Sequence, residues 1–220
     1  MLSTKNMKSG GGNTRPVIDA GNHKIKINDL TYDQTPYDKD AYNITMHVET
    51  EPVDGEFQGF LVDRQNPNGP RYKGQVGRVK FSQYAYKDFV LPSGVEIKRD
   101  NSTLKSMVVL AETLGKRDEL DNIEAKNIFD FMKACREIFK NSEYFMACIG
   151  GREWENKEGY VNLDLHLPKG EKGKFLIESC DNDNSKLLEF DATKHIKRLV
   201  KKQVTSFNDD NQFTSDDFDL

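Results

Sequence analysis

Apolar and polar positions alternate most regularly between Ala41 and Thr50. Tyr42, Ile44, Met46 and Val48 fall on one face; Asn43, Thr45, His47 and Glu49 fall on the other. A period of two predicts a half-buried antiparallel strand. His23 to Leu30 repeats the pattern with Ile25 and Ile27. Gln75 to Phe81 repeats it with Val79 and Phe81 opposed to Arg78 and Lys80. Phe57 to Asp63 is apolar on both faces, as a central strand is. Phe89 to Lys98 predicts a hairpin turning at Pro92-Ser93-Gly94. The period then changes. Leu104, Met107, Val108, Ala111 and Leu114 recur at helical spacing, with Asn101 or Ser102 able to cap the start and Gly115 the end. Ile128, Phe131, Met132, Cys135, Ile138 and Phe139 form a second helical stripe, expected to be core. Strands resume at Tyr144 to Ile149. In the next, Tyr160 to Leu167, the side chains of Val161, Leu163, Leu165 and Leu167 are expected inward. A further strand is expected at Lys174 to Cys180, then a basic helix from about Ala192 to Val204.

Strands, a hairpin, two helices and more strands make a mainly β chain with helices, of the α+β class. The order fits a five-stranded barrel of the oligonucleotide-binding (OB) type, whose helix lies between strands three and four. Here a hairpin insertion and two helices occupy that connection. A generic α+β sandwich has the same strand count. The organisation expected is a flexible arm over 1–20, Gly-rich around Gly10-Gly11-Gly12, an OB-type domain over 21–205, and a disordered acidic tail over 206–220.

Charge sharpens the picture. The 220 residues carry a net charge of -4, but Phe207 to Leu220 holds five aspartates and no cation. The body is therefore close to neutral, and a basic stretch (Lys194, Lys197, Arg198, Lys201, Lys202) precedes the tail. Such a tail cannot bury enough apolar surface to fold alone. Its Phe and Leu fit a short binding peptide; a solvated, frayed terminus has the same composition. No apolar run is long enough to span a bilayer, and the opening residues lack the apolar core of a secretory signal. Three widely spaced cysteines do not suggest a disulfide scaffold, so a reducing cytoplasm is the expected setting.

Candidate chemistry concentrates between Arg71 and Phe89. Five cations (Arg71, Lys73, Arg78, Lys80, Lys87) alternate with five aromatics, among them Tyr72, Tyr84 and Tyr86. Cations hold phosphates and rings stack on unpaired bases, which is what sequence-tolerant single-strand binding requires. An ordinary strand with a basic outer face and inward aromatics reads the same way, and Phe81 is the residue expected to be merely core. A second group, Arg152, Trp154 and Lys157, falls in a polar, Gly-flanked stretch from Gly150 to Tyr160, expected as the loop between barrel strands four and five. Tyr32 and Tyr37 fall in the loop expected between strands one and two. Those two loops border the ligand groove in OB barrels. Trp154 suits base stacking or clamping its own turn equally.

Enzyme chemistry has less support. Glu96-Ile97-Lys98 after Asp88 follows a metal-dependent nuclease pattern that a highly charged chain also produces by chance. No phosphate-cradling Gly-x-x-x-x-Gly-Lys motif occurs. His23, His47, His166 and His195 are scattered, and His47 and His166 are expected exposed on polar strand faces. No cofactor is expected.

Taken together, the MLSTKNMKSGGGN arm, the Arg71-Tyr-Lys-Gly-Gln-Val-Gly-Arg78-Val-Lys80 block, the Glu155-Asn-Lys-Glu-Gly-Tyr160 segment and the Asp-rich terminus resemble the single-stranded DNA-binding proteins encoded by tailed phages. The resemblance implies a non-enzymatic protein that coats single-stranded DNA in replication or recombination, in the host cytoplasm. It also implies that Asp216, Asp217, Phe218, Asp219 and Leu220 recruit partner proteins. Bacterial relatives close with Pro-Phe; this chain closes with Leu220, which points to a phage-encoded partner. A metal-dependent nuclease and an interaction module without nucleic-acid activity are the alternatives.

Overall fold

The structure is a computed structural model and describes residues 17–51, 74–170, 173–181 and 189–200. In chain order its elements begin β1 (Gly21–Gln34), β2 (Tyr42–Thr50), β3 (Val76–Lys80), β4 (Phe89–Val90) and β5 (Glu96–Ile97). Three helices follow: α1 (Arg99–Thr113), α2 (Arg117–Asp121) and α3 (Ile128–Phe139). Then come β6 (Phe145–Glu155), β7 (Val161–His166), β8 (Ile177–Ser179), α4 (Ala192–His195) and β9 (Ile196–Lys197). The expected strand at 57–63 lies outside the described residues.

Five strands close into a barrel in the order β1–β2–β3–β7–β6 and back to β1. The β3–β7 seam is parallel, with Val79 beside Leu165, and the other seams are antiparallel. This is the OB plan, with the β4–β5 hairpin and α1–α3 between barrel strands three and four. β1 serves two neighbours: its start pairs with β6, Gly21 opposite Ile149, and most of its length pairs with β2. A register shift between Ile27 and Asp29 marks the irregularity in that ladder; such bulges bend a strand and increase its twist.

The interior collects the alternating residues as expected. Ile25, Ile27, Ile44, Met46, Val48, Val79 and Phe81 join Phe145 and Ile149 in one cluster. The helices contribute Met107, Leu110 and Ala111 from α1 and Met132, Cys135 and Phe139 from α3 to the same cluster. α3 starts at Asn127, whose side chain accepts the backbone N–H groups of Phe129 and Asp130. Gly115, at φ 64°, sits just past the end of α1 as expected. The start of α1 differs. It begins at Arg99, whose N–H is held by Asp88 from outside the helix at 2.8 Å, while the hydroxyls of Ser102 and Ser106 turn back to carbonyls one turn earlier.

Other expectations are corrected. Residues 150–155 are strand, not loop, because they continue the β6 ladder against β7 as far as Glu155 opposite Val161. The turn lies beyond, where Asn156 Oδ1 accepts the N–H groups of Glu158 and Tyr160 and Gly159 adopts φ 83°. Val161 and Leu163 are exposed, not inward, since this part of the ladder projects past the barrel; Leu165 and Leu167 are buried. The C-terminal helix stops at His195. Ile196 and Lys197 instead pair in parallel with Gly151 and Arg152, on the edge of β6 opposite β7. His166 is buried and His47 half-buried. Among the described residues no helix is long and apolar enough to cross a membrane.

Candidate nucleic-acid interface

With the apolar residues of β2 and β3 turned into the barrel, Asn43, Thr45, His47, Arg78 and Lys80 are left on the outside. The register sets His47 opposite Arg78 and Thr45 opposite Lys80. Two open cavities, of about 600 and about 550 Å³, lie on this face and share Lys80 and Asp164. His47 and Thr45 line the first; Asn43 and Ala41 line the second. The two therefore form one groove running along β2, roughly 20 Å long at the rise of a β-strand.

The projecting β6–β7 ladder supplies one wall. Arg152 and Trp154 alternate onto the groove side, as does Asp164 on the facing strand. Asp164 ties the floor to the wall: one oxygen accepts Lys80 Nζ at 2.6 Å, the other Trp154 Nε1 at 3.2 Å. Trp154 thus keeps a fixed orientation with 43 % of its surface exposed. The β1–β2 loop supplies the other wall through Tyr37 and Asp38. Asp38 accepts Lys87 Nζ at 3.0 Å. Its carboxyl is held below the usual range, first by the N–H of Asp40 and then by Lys87.

Tyr84 stands in the second cavity, 59 % exposed. Arg152 lies 5.7 Å and Lys197 5.8 Å from its ring centre, within cation–π range. Lys197 Nζ also donates to the Tyr84 hydroxyl at 3.2 Å. Lys197 reaches the groove because β9 lies on β6, and that placement is locked by Glu153. The Glu153 carboxylate accepts the N–H of Leu199 at 3.0 Å and pairs with Arg198. Those contacts, the Leu199 N–H first, hold its carboxyl low. At the other end, burial pushes His47 below its ordinary 6.5, and the neighbouring Arg78 adds to the shift. Arg78 and Arg152 have no carboxylate within ion-pair distance among the described residues.

No known protein family, curated protein or solved structure matches the chain.

Six of the residues singled out from sequence converge here: Arg78, Lys80, Tyr84, Lys87, Arg152 and Trp154. Tyr86 does not. The strand ends at Lys80, so alternation no longer governs the residues after it. Tyr86 packs against the core with its hydroxyl 2.8 Å from Ser106 Oγ, and burial pushes the phenol up to about 12. Lys157 is exposed in the turn of the β6–β7 hairpin and lines neither cavity. Tyr32 belongs to β1 and stacks on Tyr42 at 5.1 Å, away from the loop expected to hold it. Arg71, Tyr72, Lys73 and Asp216 to Leu220 lie outside the described residues. Sequence reasoning had not placed His47, Asp164 or Lys197 in the site. The polar face of β2 carried a signal for His47, and the basic run before the tail carried one for Lys197. Nothing local to Asp164 marks it.

Away from the groove, Asp88, Glu96 and Lys98 meet at the base of the β4–β5 hairpin. Lys98 Nζ lies 2.9 Å from Glu96 and 3.4 Å from Asp88.

Proposed function

We propose that the chain is a non-enzymatic single-stranded DNA-binding protein, serving phage replication or recombination as the sequence resemblance implies. The observation that carries this reading is the groove along β2. Exposed rings, Tyr84 and Trp154, stand beside Arg78 and Arg152, which have no carboxylate partner among the described residues, and Lys80 and Lys87, whose partners Asp164 and Asp38 are partly exposed. Rings offer stacking platforms to unpaired bases, and cations offer phosphate contacts without sequence readout. A duplex would hide the base faces that Tyr84 and Trp154 need. The acidic tail, with Asp216 to Leu220 at its tip, then serves to recruit other proteins to the coated strand.

The test is a labelled oligo(dT) titrated with the full chain at several salt concentrations. Binding that weakens linearly with log salt, with slope set at roughly 0.7 per phosphate contact, supports the reading. Indifference to oligo(dT) at low salt refutes it. The convergence of Asp88, Glu96 and Lys98 favours a nuclease as the second reading, since paired carboxylates beside a lysine suit metal-assisted hydrolysis. Magnesium-dependent cleavage of the same probe, lost in Glu96→Gln, is the result that would establish it.

A further inference from the structure

Asp164 lines both cavities and so stands mid-groove. Cations and rings suit a DNA strand, but a carboxylate in the middle of the path repels the phosphates on either side of it. Holding Trp154 does not require the charge. The indole N–H needs one acceptor, which the amide oxygen of an asparagine supplies equally well. Nor is the carboxylate hidden: Asp164 keeps 45 % of its side chain exposed, and its partner Lys80 keeps 33 %. Trp154 and Lys80 each occupy one of its oxygens. A carboxylate has about four lone-pair positions, and an ammonium has more N–H groups than one ion pair uses. The pair therefore presents open acceptors and open donors to the groove, side by side.

The neighbouring ring sets what reaches that pair. An indole N–H points outward in the plane of its ring, so Asp164, 3.2 Å from Nε1, lies off the rim of Trp154 and not over its face. Flat rings prefer offset stacking. A base stacked on the exposed indole face and slid toward that rim brings its own hydrogen-bonding edge to Asp164 and Lys80, the edge by which unpaired bases are recognised. An acceptor beside a donor matches a base edge with donors beside an acceptor. Guanine fits best: its N1–H and amino group donate to the carboxylate while O6 accepts from Lys80. Thymine offers a single N–H between two carbonyls, one of which meets the carboxylate. We propose that Asp164 and Lys80 read the edge of the base stacked on Trp154, and that this subsite takes guanine ahead of thymine. Phosphates are left to Arg78 and Arg152, which have no carboxylate partner among the described residues. This rests on the DNA-binding reading, and adds one point of base readout to a groove otherwise tolerant of sequence.

The experiment compares two short probes at one salt concentration, an all-thymine oligonucleotide and the same oligonucleotide with one central guanine. The parent chain should bind the guanine probe about fivefold tighter, the low end of what a two-point contact to a base edge contributes. Asp164→Asn should bind the all-thymine probe at least as tightly as the parent, since a repelling charge is gone. It should lose the guanine advantage, because its amide N–H group faces donors on the base. Quenching of tryptophan fluorescence by the all-thymine probe should persist, because the amide oxygen still holds the indole. Equal affinity of the parent for the two probes overturns the proposal without recourse to any variant. So does a guanine advantage that survives in Asp164→Asn, which would trace it to the larger stack of a purine. Loss of affinity for both probes alike in that variant, with quenching gone, would leave Asp164 only a positioning residue for Trp154 and overturn the readout. Failure of the parent to bind either probe would instead overturn the DNA reading, and this inference with it.

Discussion

The inside and the outside of β3 are one residue apart and obey different rules. Val79 and the following Phe81 are fully buried, and Phe81 meets Phe175 edge-on at 5.2 Å. Arg78 and Lys80, on the other side of the same ladder, face an open groove that holds cations and the Asp164 carboxylate, with Tyr84 and Trp154 at its Lys80 end. The interior is held by shape, where a lost side chain leaves a void that neighbours fill poorly. The groove is held by a few directed contacts, and its residues remain solvated. Damage to the first region should therefore appear in stability and damage to the second in binding.

Phe81→Ala should break the inner side with the largest effect, about 3–5 kcal/mol of unfolding free energy, the usual cost of truncating a buried ring. Denaturant unfolding measures it. A cost below about 1 kcal/mol would mean that the barrel collapses around the gap and that packing is not what holds it.

Trp154→Ala should do the reverse. Binding of oligo(dT) should weaken by about 1–3 kcal/mol, the range for one base–ring stack, with little change in melting temperature. In the parent, tryptophan fluorescence should be quenched by the oligonucleotide. Full affinity with a large drop in melting temperature would move Trp154 to the structural side, as a clamp acting through Asp164.

The cations divide within the groove itself. Among the described residues Arg78 has no carboxylate partner, whereas Lys80 is already neutralised by Asp164 at 2.6 Å. Arg78→Ala should make the log-salt slope shallower by about 0.7, one phosphate contact on a single strand. Lys80→Ala should change the slope by much less. Equal effects in the two titrations would show that the Lys80–Asp164 pair opens on binding.

The smallest effect expected is pH dependence with opposite signs in the two regions. Burial lowers His23, His47 and His166 from their ordinary 6.5 in the folded chain. Below that pH the unfolded chain holds more protons than the folded one, so stability should fall as pH drops through 6.5 towards the folded values. A phosphate in the groove favours the protonated form of His47, so oligo(dT) affinity should rise over the same window. Thermal melts and titrations between pH 5 and 7.5, roughly the range where histidine changes charge, measure both. If His47→Gln keeps the full rise in affinity, His47 does not face the bound strand.

How much of this was written locally in the chain follows from the same contrast. Wherever one face is buried, alternation reports it: Ile44, Met46, Val48 and Val79 read inward and are inward. The helical stripe of α3 was legible for the same reason; the hairpin turn was legible instead from its Pro92-Ser93-Gly94 turn residues, Gly94 adopting φ 81°. Alternation stops informing where a strand outruns its core. Val161 and Leu163 keep the pattern of a buried strand yet project past the barrel, and Tyr84 and Tyr86 separate because the strand ends at Lys80. The groove was legible as a basic and aromatic block. Its organisation was not, because Asp164 and Lys197 come from distant segments and join it only through the β6 ladder.

The double pairing of β1 also sets an order of assembly. Its ladder with β2 joins neighbours in sequence and costs little chain entropy to close. Its ladder with β6 joins Gly21 to Ile149 and can form only when the intervening helices and hairpin have been gathered in. The β1–β2 hairpin should therefore be protected early in refolding, and the β1–β6 seam should be the last to gain protection. The groove matures with that second step, since the wall bearing Arg152 and Trp154 is the continuation of β6. On this account, a chain caught before closure has its basic floor but lacks the wall that carries its tryptophan.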